Sequence, residues 1–213
     1  MLKLSEIFYS LQGESTFSGL PCVFVRLAGC NLDCRYCDTD YARRSDQGTA
    51  ATLDEIVSRV AEFGVGLVEI TGGEPLFQPA TPELCEMFLA RGYTVLLESN
   101  GSLDISPLDP RVHLVLDVKT PGSGMGESFA LANLNFLQPH HQVKFVLVDE
   151  ADFFWSLDFI RRHLAGHPTL IFSPVVPGLA PARLAELMLE HRAPARLQLQ
   201  LHKQLWPADQ RGR

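Results

Sequence analysis

Pro21-Cys22-Val23-Phe24-Val25-Arg26-Leu27-Ala28-Gly29-Cys30-Asn31-Leu32-Asp33-Cys34-Arg35-Tyr36-Cys37 is the stretch that decides the reading of this chain. Its first seven residues are rich in Val and Phe, as a buried strand requires. They run into a loop holding three cysteines in eight residues, spaced C-x3-C-x2-C. Three thiolates this close can hold a metal or cluster without help from the rest of the fold, yet they supply no fourth ligand. A structural zinc site wants four protein ligands in a closed tetrahedron. A 4Fe–4S cluster held by three cysteines keeps one iron open to another molecule. The spacing favours the cluster, and the rest of the chain must decide.

Outward from this loop, strand and helix signals alternate. Thr52-Leu53-Asp54-Glu55 is a capping box, followed by Ile56, Val57, Val60 and Phe63 at helical spacing, with Gly64 as the stop. Leu67-Val68-Glu69-Ile70 predicts a strand ending in Thr71-Gly72-Gly73-Glu74-Pro75. Thr81 caps a helix with Pro82 at its first position, running to Arg91 and ending at Gly92. Further strands are predicted over Tyr93–Leu97, His113–Val118, Gln142–Val148 and Leu170–Phe172. Helices are predicted around Phe129–Phe136, over Asp152–Leu164 and over Pro181–His191, with Arg196–His202 extended.

Strands separated by helices predict an α/β fold with a mostly parallel sheet and right-handed crossovers. Six strand candidates fall short of a complete eight-stranded barrel, so the expectation is a partial, open β/α barrel of about six strands. Sites in such folds lie at the carboxyl ends of the strands. The unusual polar and glycine-rich stretches fall there: the cysteine loop, Thr71–Pro75, Glu98–Gly101, Lys119–Gly124 and Ser173-Pro174.

The chain has 213 residues, enough for one domain spanning 1–213, and no apolar run approaches the ~20 residues that cross a bilayer. The N-terminus lacks the apolar core of a signal peptide, so a soluble cytoplasmic protein is expected. Five cysteines, three of them clustered, do not form a secreted disulfide framework. A net charge of −7 with no basic run argues against a nucleic-acid surface, and Arg211 and Arg213 read as a solvated end.

Arg26 stands in an apolar strand four residues before Cys30 and needs an anionic partner, either a protein carboxylate such as Glu14 or a bound ligand. Gly72 and Gly73 let backbone approach a ligand closely, or simply form a strand-to-helix turn. Cys22 and Cys85 read as small buried apolar residues, and the scattered histidines show no metal-ligand spacing.

The C-x3-C-x2-C loop followed by Gly72-Gly73-Glu74-Pro75 resembles the radical S-adenosylmethionine (SAM) enzymes. The resemblance implies that Cys30, Cys34 and Cys37 hold a 4Fe–4S cluster whose open iron binds SAM. Cleavage of SAM there gives a 5′-deoxyadenosyl radical, so no side chain is expected to be the catalytic group. It further implies SAM contacts at Tyr36, Cys37, Asp38, Gly73, Glu98, Asn100, Asp117, Val118, Lys119 and Ser173, and places Thr71 and Glu74 beside the methionine part.

A narrower resemblance covers nearly the whole chain. Glu6–Glu14, Phe24–Leu32, Cys37-Asp38-Thr39, Asp117–Pro121 and the tail His202-Lys203 with Leu205-Trp206 are similar to the 7-carboxy-7-deazaguanine synthases. That family contracts the ring of 6-carboxy-5,6,7,8-tetrahydropterin with loss of ammonia, on the route to queuosine and other 7-deazapurines. The resemblance implies substrate contacts at Leu11, Gln12, Gly13, Glu14, Arg26, Thr71 and Pro207. It also implies Mg2+ on Thr39, a homodimer, and an electron donor such as flavodoxin or ferredoxin. Gln12 and Glu14 suit the donor and acceptor edge of a pterin, and Arg26 its carboxylate. His202 is a weaker candidate, and Trp206-Pro207 either closes the pocket or anchors the tail. The alternatives are a glycyl-radical-enzyme activating protein and a non-catalytic metal-binding module.

Overall fold

Side chains alternate across each strand, and in this chain the two faces meet different surroundings. A computed structural model describes residues 1–207 and 212; Arg211 and Arg213 lie outside them. The elements run β1 (Leu2–Leu11), β2 (Pro21–Leu27), β3 (Thr49–Ala51), α1 (Leu53–Ala61), β4 (Leu67–Gly72), α2 (Thr81–Ala90), β5 (Thr94–Ser99) and β6 (His113–Asp117). They continue with β7 (Gln142–Leu147), α3 (Glu150–His163), β8 (Leu170–Pro174), α4 (Pro181–Glu190), β9 (Arg196–Leu197) and α5 (His202–Leu205). Among the described residues one sheet of nine strands forms, in the order β3-β1-β2-β4-β5-β6-β7-β8-β9. From β2 to β9 all neighbours are parallel, while β1 runs antiparallel to both β2 and β3. This is the expected open parallel barrel, with an antiparallel margin added.

The outward faces bury apolar side chains under helices. Val23, Val25, Val68 and Ile70 pack with Ile56 and Val60 of α1 and Leu84 and Phe88 of α2. Val143, Phe145 and Phe172 pack with Phe153 and Ile160 of α3 and Leu184 of α4. The inward faces are layered. Cys22, Phe24, Leu67 and Leu96, with Phe8 and Phe17, make a separate apolar cluster. One step further along each strand the residues turn polar: Arg26 lies opposite Thr71, and Asp117 opposite Lys144.

Several local expectations need correction. β1 was not predicted, because a register shift between Leu4 and Glu6 breaks the alternation that would mark it. β3 and β9 are too short to carry a pattern. Thr81 does not cap α2: Ala80 holds the cap position, and the Thr81 hydroxyl donates to the Pro75 carbonyl at 2.6 Å. The helix expected around Phe129–Phe136 is a 3-10 segment over Leu131–Phe136. Arg196–His202 is extended only at its start, and α5 begins at His202. The Thr52–Glu55 capping box forms as expected.

The sheet's open side is bridged by the loop after β1 and by the tail. Ser15 N–H donates to Gln198 Oε1 at 2.7 Å, and Gln198 Nε2 returns a bond to the Ser15 carbonyl. Thr16 N–H reaches Gln142 Oε1, and Leu201 N–H the Gly13 carbonyl. Backbone polar groups of this crossing segment are thereby satisfied without a further strand.

Candidate active site

A cavity of about 550 Å³ opens at the carboxyl ends of the parallel strands. The cysteine loop forms one wall. Its Cys30 N–H donates to the Arg43 carbonyl and its Arg35 N–H to the Ser123 carbonyl, so backbone bonds hold the loop. Asn100 Nδ2 donates to Asn31 Oδ1 at 3.2 Å, tying the loop to the exit of β5. Cys30, Cys34 and Cys37 are free, half-buried and all line the cavity. Burial pushes the Cys30 and Cys34 thiols above their usual range. Three thiols fall one short of the four protein ligands that a closed zinc site takes. The donor set, three thiols and nothing else at hand, suits a cluster with one open iron.

Two glycines set the distance between this loop and β4. At Gly72, φ is +144°, and a Cβ would run into the Leu27 backbone. At Gly73 a Cβ would run into the Gly29 carbonyl oxygen and lie 2.8 Å from Cys30 Cβ. Gly73→Ala is therefore expected to displace Cys30 while leaving the strands paired. Product formation per loaded cluster should fall on the order of 100-fold, since misplacements near 1 Å cost that much. Glu74 does not reach the cavity wall; it is 0 % exposed and braces the turn. Its carboxylate accepts from Ser99 Oγ at 3.0 Å, Asn100 N–H at 2.7 Å and Leu76 N–H at 3.0 Å.

Charged groups fill the inward layer. Lys144 on β7 is 3 % exposed, and its ammonium contacts Glu14 Oε2 at 2.6 Å, Asp117 Oδ2 at 3.5 Å and Glu98 Oε1. Lys119 pairs with Asp117 Oδ2 at 2.9 Å and lies over the Tyr36 ring. Burial opposes ionisation of Glu14, but the Lys144 charge outweighs it and holds this carboxyl below its ordinary value. Asp117 is lowered likewise, burial being outweighed by Lys119 and Lys144. Glu98 is raised, because burial and its acidic neighbours exceed what Lys144 returns.

The expected site residues converge with few exceptions. Leu11, Gln12, Gly13, Glu14, Arg26, Thr71 and Pro207 line the cavity, as do Tyr36, Cys37, Asp38, Thr39, Gly73, Glu98, Asn100, Asp117 and Lys119. Val118 does not: alternation after Asp117 turns it outward into the core beneath α3. Ser173 is also absent from the wall; it is buried level with Val146, and its hydroxyl has no partner among the described residues. Arg26 does not pair with Glu14. Its Nε donates to Glu6 Oε1 at 2.9 Å, across the β1–β2 pair; the guanidinium lies over the Phe8 and Tyr41 rings, and its terminal nitrogens have no hydrogen-bond partner among the described residues. Both ends of the Gln12 amide are engaged: Nε2 donates to Glu69 Oε2, and Oε1 accepts from Glu14 N–H at 2.8 Å. His202 and Trp206 line the cavity, which puts the tail at its wall.

Lys144 and Glu69 escaped the sequence reading. The signal that exposed Arg26, a charge inside an apolar parallel strand, is present at both. Gln200 and Lys203 were also missed; Gln200 Nε2 donates to Glu14 Oε1 at 2.8 Å, and Lys203 pairs with Asp38 at 2.9 Å.

Residues 25–119 match the Radical SAM superfamily, a span that includes the cysteine loop, the glycine turn and Lys119. Fold and site together are those of a radical SAM enzyme, whose cofactors are a 4Fe–4S cluster and SAM. A 7-carboxy-7-deazaguanine synthase of Chlorobaculum tepidum is 49% identical over 99% of this chain and 97% of its own length. One of Koribacter versatilis is 39% identical over 99% of this chain and 100% of its own length. The crystal structure of QueE from Escherichia coli superposes with a TM-score of 0.77 over 94% of both chains, at 23% identity. The chain belongs to the 7-carboxy-7-deazaguanine synthase family. That membership sets aside the glycyl-radical activator and the bare metal-binding module. No helix of the described residues is long and apolar enough to cross a membrane.

Proposed function

We propose that the cavity carries out the radical ring contraction of 6-carboxy-5,6,7,8-tetrahydropterin to 7-carboxy-7-deazaguanine, with loss of ammonia, in 7-deazapurine biosynthesis. The observation that carries this reading is one cavity with three free thiols on one wall and Arg26, Gln12 and Glu14 on its others. Cys30, Cys34 and Cys37 would hold the cluster, and Gly73, Tyr36, Asn100 and Asp38 would flank SAM. When bound, these two supply the one-electron chemistry that opens the reaction.

The chain's own residues position the substrate. The terminal nitrogens of Arg26 offer a fork to its carboxylate while Nε stays on Glu6. Glu14, held ionised by Lys144 and steered by Gln200, accepts from ring N–H and amino groups. Thr39 lines the cavity 3.9 Å from Cys37 Sγ, and its hydroxyl suits Mg2+, which keeps most of its waters. The tail from Gln198 to Pro207 limits water entry. Residues 1–213 would act as one radical SAM domain, as a cytoplasmic homodimer fed by a flavodoxin- or ferredoxin-type donor.

Anaerobic reconstitution with iron and sulfide, then incubation with SAM, reductant and the pterin, should yield the deazapurine acid. Absence of that product from fully clustered protein would overturn the assignment.

A further inference from the structure

The inward layer contains a carboxyl group that the reading above leaves without a task. Glu69 of β4 lines the cavity and is 3 % exposed. Glu14, Glu98 and Asp117 all contact Lys144, and Asp117 also has Lys119. Glu69 has no cation within ion-pair distance among the described residues; its partner is the amide of Gln12. The groups facing it are Arg26 and Cys22 from β2, Glu98 from β5, Glu14 from the loop after β1, and Lys144 from β7. Burial first, then the Glu98 and Glu14 charges, push its carboxyl well above the ordinary range, more than Lys144 and Arg26 offset. A neutral carboxyl is an O–H donor, whereas a carboxylate only accepts. Gln12 Nε2 already donates to Oε2, which leaves Oε1 to carry the proton.

Resting on the reaction assigned above, we propose that Glu69 binds substrate as a neutral acid, its Oε1–H donating to an acceptor atom on the substrate's polar ring edge. The other polar groups nearby are poorly placed for that task. Glu14 and Glu98 both accept from the Lys144 ammonium, and that ammonium is committed to three carboxylates. Glu14 therefore recognises the donors of a pyrimidine-type edge and Glu69 its acceptor. A pocket with both is selective for rings that present the two side by side. A ring lacking the acceptor leaves a buried donor unpaired.

The test uses the full chain, reconstituted, as wild type, Glu69→Gln and Glu69→Met. Infrared difference spectra without substrate report protonation independently of turnover. Wild type should show a protonated-carboxyl band, at a pH where free carboxylates are ionised, that is missing in Glu69→Gln, as expected for a buried acid. With the pterin, Glu69→Met should lose on the order of tenfold in kcat/KM, carried by KM, as one hydrogen bond allows. Glu69→Gln keeps a donor and should recover most of that loss. As pH rises, wild-type kcat/KM should decline as Glu69 loses its proton, and that decline should be absent in Glu69→Gln. Absence of the band, an unchanged alkaline decline in Glu69→Gln, or a glutamine variant as poor as the methionine one would each overturn the proposal. Wild-type protein that forms no deazapurine product would overturn the reaction assignment, and the ring contact with it.

Discussion

Lys144→Met is expected to destabilise the fold by about 3–5 kcal/mol, the cost of stripping a buried charge of its partner. For a chain of this size that is a fall in Tm of roughly 6–20 °C. The reason lies in the count of charges. Lys144 is in contact with Glu14, Glu98 and Asp117, and only Asp117 has a second cation. Methionine matches the lysine stem in length, and the outward packing of β7 through Val143 and Phe145 is untouched. What is lost is the ammonium. Calorimetry on the unreconstituted protein measures the effect without interference from the cluster.

The pH dependence gives the same prediction a sign. Glu14 and Asp117 have folded-state values below their unfolded ones. Their contribution to stability is present above the unfolded carboxylate range and is lost as pH falls through the folded values. In Lys144→Met Glu14 loses its cation and burial raises it, while Asp117 keeps Lys119, so the folded variant takes up a proton on Glu14 before the wild type does as pH falls. The gap in Tm between wild type and variant should therefore narrow from pH 7 toward about pH 5. A gap that widens toward acid would show that Lys144 does not hold these carboxylates ionised.

This layer also shows what sequence reading reaches and where it stops. Parallel strands buried on both faces read as continuous apolar runs. β2, β4, β5, β6 and β7 each break that run with one charge: Arg26, Glu69, Glu98, Asp117 and Lys144. Seen singly, each passes for an irregularity, and only Arg26 was drawn out as needing a partner. Seen by register they are one ring, because alternation carries all five to the barrel interior. The parallel strands and the loops at their ends were legible from local composition. Pairings were not. Glu6 with Arg26 depends on β1 folding back along β2, and Gln200 with Glu14 joins residues at opposite ends of the chain. Val118 and Ser173 lie off the cavity wall because a motif identifies a segment, whereas the strand's twofold alternation decides which side chains face the cavity.

The second large effect separates the site from the fold. Cys34→Ala should abolish the cluster and with it all product, while unfolding of the unreconstituted chain shifts by no more than about 0.5 kcal/mol. The cysteine loop owes its shape to backbone bonds, Cys30 N–H to Arg43 and Arg35 N–H to Ser123, and to the Asn31–Asn100 contact, none of which uses the Cys34 thiol. Cys34 is half-buried and packs no core. Cys85→Ala makes the opposite case. That thiol is 0 % exposed in the core on the inner face of α2, away from the cavity, and burial pushes it up to about 12. Its removal should lower stability by about 1 kcal/mol and leave iron and sulfide content unchanged. Iron and sulfide analysis alongside denaturant unfolding of the two variants checks both halves. Cluster retained in Cys34→Ala would break the assignment of the C-x3-C-x2-C loop. Large unfolding in the same variant would mean that the thiol, and not the backbone, shapes the loop.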